Sequence, residues 1–257
     1  MILAIDIGNT GTTIALFSED GALSFQSRLS TDAKMTDDRC AIDLMAVFHL
    51  YRADLSAVKG AILSSVVPPI TSAYVRTLRR LTGRAPLVVG PGLKTGLNIK
   101  SEIHNQLGSD IVASAVAIAA LYPTPAIVIN SRTAVTFSYI GENTFEGCAI
   151  MPGMDIALEA LSHYGAQLPQ ISMAQVDTPL CRNTVDSMRA GVLYGYSGAF
   201  DRVIQSLEEA AGVPALSVVS TGNPAPELYR LCRREIRYDH DLLVKGLYLL
   251  YRKNARV

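Results

Sequence analysis

Neither sign of charge is in excess in this chain, since 23 lysines and arginines stand against 23 aspartates and glutamates. Such a balance supplies no basic field for a nucleic-acid backbone, so a small-molecule partner is expected rather than a polymer. No two cysteines sit at Cys-x-x-Cys spacing. Cys40, Cys148, Cys181 and Cys232 are scattered, which indicates neither a zinc site nor a disulfide framework and points to a reducing cytoplasm. The four histidines are equally dispersed and read as surface or capped residues rather than ligands. The longest apolar stretch, Ile111 to Tyr122, is too short to span a bilayer, and Met1 runs into a strand without a basic flank or cleavage-site pattern. No membrane association or targeting is expected. The length of 257 residues suits two domains of modest size, each able to bury a core.

What is present begins at Met1. Ile2 to Ile5 and Ile14 to Phe17 are short apolar runs joined by a Gly/Asn/Thr connection, the pattern of a hairpin. In the turn, Gly8 and Gly11 let backbone approach a ligand, Thr10, Thr12 and Thr13 supply hydroxyls, and successive N–H groups including that of Asn9 can form an anion-binding concavity. Asp6 closes the first strand. A carboxylate beside a phosphate cradle repels the phosphate unless a cation lies between them, so Asp6 is expected to hold a hydrated metal ion on a nucleotide. The alternative is a hairpin whose Asn-Thr-Gly only satisfies turn geometry.

The stretch from Ala126 to Ile140 repeats that grammar. An apolar strand ends on the polar Asn130, a turn carries Arg132 and Thr133, and a β-rich segment returns. Asn130 follows Asp6 by about half the chain length, so two related lobes are expected, 1–109 and 110–257, each presenting one phosphate-facing hairpin to a shared central cleft. That organisation resembles the actin, Hsp70 and sugar-kinase superfamily, whose α/β, ribonuclease H-like lobes are duplicated. Leu216 to Gly222, a strand ending in a small-residue turn, stands where that superfamily cradles the nucleoside.

Between these landmarks the pattern predicts a strand near Leu23 and Phe25, and a helix over 43–51 with Leu44, Val47 and Phe48 on one face. It predicts a buried strand over 60–67 stopped by Pro68-Pro69, and a helix over 70–81 ended by Gly83. Lys94, in the glycine-punctuated loop after Pro91, is either solvated or within reach of an anion. Gly108-Ser109-Asp110 opens a helix ended by Pro123. Ser109 or Asp110 there can simply cap the helix, or Asp110 can accept the proton of a substrate hydroxyl as it attacks a phosphate. A helix over 155–164 follows, then a long helix capped by Thr184, with Val185, Met188, Val192, Tyr196, Phe200, Val203 and Leu207 on one stripe. Gly191, Gly195 and Gly198 along it suggest close approach by another backbone. A last amphipathic helix begins at Asp241, with Arg252, Lys253 and Arg256 at a solvated end.

Taken together, Asp6-Ile-Gly-Asn-Thr, Ser64-Ser-Val-Val-Pro-Pro69, Pro91-Gly-Leu-Lys-Thr-Gly-Leu97, Gly108-x-Asp110, Gly147-x-Ala-Ile-x-Pro-Gly153, Asn183-Thr184 and Ser220-Thr-Gly222 resemble the type III pantothenate kinases almost end to end. The resemblance implies ATP-dependent phosphorylation of pantothenate to 4'-phosphopantothenate in coenzyme A synthesis. It implies a homodimer using ATP, a divalent ion such as Mg2+, and a monovalent cation, K+ or NH4+. It assigns the ATP phosphates to Asp6, Gly8, Asn9, Thr10, Gly11, Thr12 and Thr13, further ATP contact to Thr133 and Gly222, proton acceptance to Asp110, and pantothenate contact to Gly108, Ser109 and Thr184 near the dimer interface.

Several motif positions depart from the family pattern. Asn130 stands for the aspartate that anchors the monovalent cation, Arg132 for a glycine, Ile111 for an arginine, Ser101 for a tyrosine and Asn223 for a glycine. Losing a negative charge and gaining a positive one within three residues moves the local formal charge by about two units. Three readings follow: Arg132 replaces the monovalent cation, or its side chain fills the phosphate pocket and the chain survives as a nucleotide- or partner-binding subunit paired with an active relative, or the kinase acts on a different small alcohol.

Overall fold

The structure is a computed structural model and describes residues 1–100, 107–223 and 225–255. Ser101 and Arg256 lie outside the described residues. In chain order the elements are β1 (Ile2–Ile7), β2 (Gly11–Phe17), β3 (Leu23–Ser30), α1 (Asp37–Leu50), β4 (Gly60–Ser65), α2 (Pro68–Thr82), β5 (Leu87–Val88), β6 (Asn98–Ile99), α3 (Ser109–Leu121), β7 (Ala126–Ser131), β8 (Ala134–Ile140), β9 (Thr144–Pro152), α4 (Met154–Tyr164), α5 (Thr184–Ala211), β10 (Ser217–Gly222), α6 (Pro226–Leu231), β11 (Arg237–Tyr238) and α7 (Leu242–Asn254).

Two compact units result. The first comprises Met1–Leu97, Ser101–Ala117 and Asp241–Val257, and the second Asn98–Lys100 and Ile118–His240. These differ from the expected segments 1–109 and 110–257, because the start of α3 and the whole of α7 pack on the first sheet.

The first unit holds a five-stranded sheet in the order β3-β2-β1-β4-β5. β1 and β2 are buried along their whole length, as apolar runs covered on both faces must be. Strand alternation sends Leu3, Ile5 and Ile7 to one face, against Leu44, Val47 and Phe48 of α1 and Ile70, Tyr74 and Leu78 of α2. Ile2 and Ala4 go to the other face, with Ala113 and Val116 of α3 and Leu243, Val244 and Leu247 of α7. Helix α1 begins at Asp37, earlier than the apolar periodicity suggested, because the Thr36 side chain accepts from the Arg39 N–H and two aspartates occupy the first turn. Helix α2 opens on Pro68 and closes on Gly83, whose φ of 71° is left-handed.

The second unit has a six-stranded sheet in the order β11-β10-β7-β8-β9-β6. Its β9-β8-β7-β10 core repeats the β3-β2-β1-β4 pattern of the first, with two antiparallel pairs followed by a parallel crossover. Ile127, Ile129, Phe137 and Val218 meet Leu193, Phe200 and Ile204 of α5 and Leu228 of α6. Helix α5 is capped by Asn183, which accepts from the Asp186 N–H, and Thr184 is its first residue rather than its cap. The apolar stripe faces the core as expected. The three glycines lie on an exposed side, and among the described residues a Cβ on Gly191, Gly195 or Gly198 would meet nothing within 4 Å, so no described backbone outside the helix approaches them.

Candidate functional site

In the first unit, β1 and β2 pair Asp6 with Thr13, and β1 and β4 pair Asp6 with Ser64. Paired residues point to the same side of a sheet, so Thr13, Asp6 and Ser64 form one polar row on the face that α3 and α7 cover. Asp6 is 1 % exposed. A buried carboxylate is costly unless a cation or donors meet it. Thr12, one position along, faces the opposite side. Its hydroxyl bonds Thr31 Oγ1 at 3.0 Å and also Tyr74, so it belongs to the scaffold under the turn.

The turn itself is held open. Gly8 N–H donates to Gly11 O at 3.0 Å, and Thr31 donates its hydroxyl to Gly8 O at 2.7 Å. Asn9 and Thr10 are exposed at its tip. Arg28, opposite Thr13 on β3, lays its guanidinium over Gly11, with Nε 2.5 Å from where a Cβ would stand. Gly11 therefore makes room for a cation beside the turn. Neither Arg28 nor Thr31 carried a sequence signal, because each reaches the turn from a separate strand or its end.

At the start of α3, Gly108 O accepts from Val112 N–H at 3.1 Å, and Asp110 Oδ1 lies 2.6 Å from the position of a Cβ on Gly108. Asp110 is half-buried, folded back against that glycine. Ser109 does not present a free hydroxyl. It bonds Ser64 Oγ at 2.9 Å, accepts from Ser65 N–H at 3.0 Å and donates to Ser65 O at 3.1 Å. Ile111 is 7 % exposed and packs as a core residue, so that position offers no cationic clamp. Lys94 is exposed, and its loop is fastened by backbone bonds to the Asn254 side chain at 2.8 and 2.9 Å.

In the second unit the equivalent row is Thr136, Asn130 and Thr221, aligned across β8, β7 and β10 and 8 %, 4 % and 1 % exposed. Thr136 Oγ1 is buried without a hydrogen-bond partner among the described residues. The β7–β8 turn is clasped from two sides. Gly153 N–H donates to Thr133 O at 2.9 Å, and Asn223 N–H donates to Ser131 O at 2.6 Å. A Cβ on Gly153 would overlap Arg132 O, and one on Gly222 would overlap Ser131 O and meet Arg132 Cγ at 3.1 Å. The stem of Arg132 thus lies along Gly222. Tyr238 from β11 pins the end of β10 by donating to Gly222 O at 2.7 Å. Thr184, expected at the substrate, is exposed at the start of α5.

Among the described residues no group of three or more His, Cys, Asp or Glu could enclose a metal ion. Asp6 alone fits a divalent ion carried largely by water and phosphate oxygens. The glycine-lined turn and its adjoining Arg28 fit the phosphates of a nucleotide. No helix among the described residues is long and apolar enough to cross a membrane.

The profile of a family described as type III pantothenate kinase matches residues 2–206. A type III pantothenate kinase of Listeria monocytogenes is 38 % identical over 255 residues, covering 99 % of this chain and 98 % of that one. One from Geobacillus thermodenitrificans is 38 % identical over 256 residues, with 99 % and 98 % covered. Among solved structures, a Baf family transcriptional activator from Campylobacter jejuni superposes with a TM-score of 0.61 at 18 % identity, covering 98 % of each chain. The activator of 2-hydroxyisocaproyl-CoA dehydratase from Clostridium difficile does so with a TM-score of 0.57 at 12 % identity, covering 97 % and 93 %. At those identities the likeness shows the fold alone, which is the actin-like α/β fold.

Proposed function

We propose, starting from the fact that the chain belongs to the type III pantothenate kinase family, that it phosphorylates pantothenate with ATP in coenzyme A synthesis. The observation that carries this reading is the polar row Thr13–Asp6–Ser64, set beside a glycine turn with Asp110 at the start of the adjoining helix. Gly8 to Thr13 hold phosphate oxygens through backbone N–H groups, and Arg28 adds positive charge. Asp6 orients a hydrated divalent ion, Mg2+, whose contribution is to neutralise phosphate charge. Asp110 accepts the proton of the pantothenate hydroxyl as its oxygen bonds to the γ-phosphorus and the bond to the β-phosphate oxygen breaks, releasing ADP. Within the first unit, Gly108 contacts pantothenate beside Asp110.

Asn130 and Arg132 support a kinase that needs no added K+ or NH4+. A guanidinium fixed to the second hairpin supplies the charge that the monovalent ion supplies elsewhere, and an amide at position 130 no longer recruits that ion. We place the enzyme in the cytoplasm as a homodimer, with the exposed glycine side of α5 open to a second copy.

Purified protein with ATP, Mg2+ and pantothenate is expected to form 4'-phosphopantothenate equally with and without potassium. Absence of product in every salt would overturn the kinase reading. Turnover only with potassium would overturn the assignment to Arg132 and leave the kinase intact. Asp110→Asn is expected to lower kcat by about 10²-fold or more, as loss of a general base does.

A further inference from the structure

We infer that Ser64 and Ser109 are positioning residues, a hydroxyl clip that fastens the first turn of α3 to the end of β4 and so sets where Asp110 stands relative to Asp6. The inference rests on the reading of Asp110 as proton acceptor. A serine hydroxyl has one hydrogen to donate and two lone pairs to accept with. At Ser109 all three are spent: it donates to Ser65 O, accepts from Ser65 N–H, and meets Ser64 Oγ at 2.9 Å. Its side chain therefore has no capacity left for a substrate. Ser109 does more than cap α3, because among the described residues its hydroxyl bonds Ser64 and Ser65 of β4.

Ser64 is fully buried and lies in register with Asp6. The hydroxyl pair thus joins the strand next to β1 directly to the residue preceding Asp110. The end of β4 is braced in turn. Ser65 Oγ accepts from Thr71 Oγ1 at 2.8 Å and from Val67 N–H at 3.1 Å, which ties it to the first turn of α2. On the helix side, Ser114 donates to Asp110 O at 2.9 Å. The clip spans 45 positions of sequence. It converts a boundary between elements, where a few tenths of an ångström of drift are ordinarily free, into a fixed separation. Reaction rates are steep in such separations, and a misplacement near 1 Å costs up to about 10²-fold.

The test compares Ser109→Ala, Ser64→Ala, their double variant, Ser109→Thr and Asp110→Asn in the full-length enzyme, measuring kcat, KM for ATP and thermal midpoint. Ser109→Ala and Ser64→Ala are each expected to lower kcat about tenfold or more with KM for ATP within about twofold. The double variant should be no slower than the worse single, since both remove the same bond. Ser109→Thr, which keeps the hydroxyl, should recover most of the rate. A lowered thermal midpoint with unchanged kcat would overturn the inference and leave the clip as scaffold. Additive losses, or no recovery by threonine, would overturn it as well. Full activity in Asp110→Asn would overturn the proton-acceptor reading and the clip with it, whereas an inactive Asp110→Asn beside a normal Ser109→Ala would sink the clip alone.

Discussion

A methyl group on Gly222 would collide with the Ser131 carbonyl and press on the Arg132 stem, and the residue's φ of 95° is itself unfavourable to any side chain. Gly222→Ala should therefore push the turn after β10 off the second hairpin. Strain of about 1–2 kcal/mol is expected, with ATP affinity in a calorimetric titration falling at least tenfold (about 1.4 kcal/mol) while the far-ultraviolet spectrum stays native. Glycines of this kind are legible in sequence, because a small-residue turn after an apolar strand is a local pattern. So are Asp6 and Asn130, each closing such a strand. Arg28, Thr31, Ser64, Thr136 and Tyr238 are not, since their roles come from strand register and long-range bonds that no spacing rule encodes. The expectation that Thr12 offers its hydroxyl to the turn illustrates the same limit. A single step in a strand reverses the face, and the register decides that Thr13, not Thr12, lies beside Asp6.

Elements were readable where apolar periodicity ran long and less so where a cap set the boundary. The two hairpins, the strand expected over 60–67 and found over Gly60–Ser65, and the stripe of α5 follow from patterns of two and of three to four. The start of α1 does not, because its first turn is polar and is held by Thr36 and by Arg76 and Arg80 of α2, which bond Asp37 at 2.6 and 2.7 Å and Asp38 at 2.9 Å. The cap of α5 lies one residue before the expected Thr184 for a similar reason, as Asn183 and Thr184 are both good caps and only backbone conformation separates them. Asn183→Ala should cost about 1 kcal/mol, visible as a shift of the urea midpoint, whereas Thr184→Ala should cost a few tenths at most. Helix α7 makes a sharper prediction. Gly246 sits where a Cβ would overlap the Ala113 carbonyl of α3, so α7 and α3 touch there through backbone. Gly246→Ala should destabilise the protein by about 1–3 kcal/mol, and the companion change Lys245→Ala, on a neighbouring position, should not match it.

At the scale of the whole molecule, the order of residues along the chain conceals which of them fold together. The last segment returns to the first sheet, so Leu243, Val244 and Leu247 complete a core begun by Ile2 and Ala4. Hydrophobic patterning makes α7 amphipathic but does not say which sheet it covers. Each unit also encloses a thiol that resists ionisation. Cys40 in the first is pushed by burial from its ordinary 9.0 up to about 11, and Cys232 in the second is raised to about 11 by burial and then by the nearby Asp201 carboxylate. An acid whose folded value is raised stays protonated while the unfolded chain already ionises. The unfolded state then binds fewer protons than the native one, and stability falls as pH rises. The contribution of each thiol is intact below pH 9 and is lost progressively between about 9 and 11. Urea titrations from pH 7 to 11 should show a plateau followed by that decline, and Cys40→Ala with Cys232→Ala should flatten it even though the pair lowers the plateau itself. An equally steep decline in the double variant would assign the alkaline loss to other groups, among them Tyr122, raised to about 12 by burial and by its bond to Asp239.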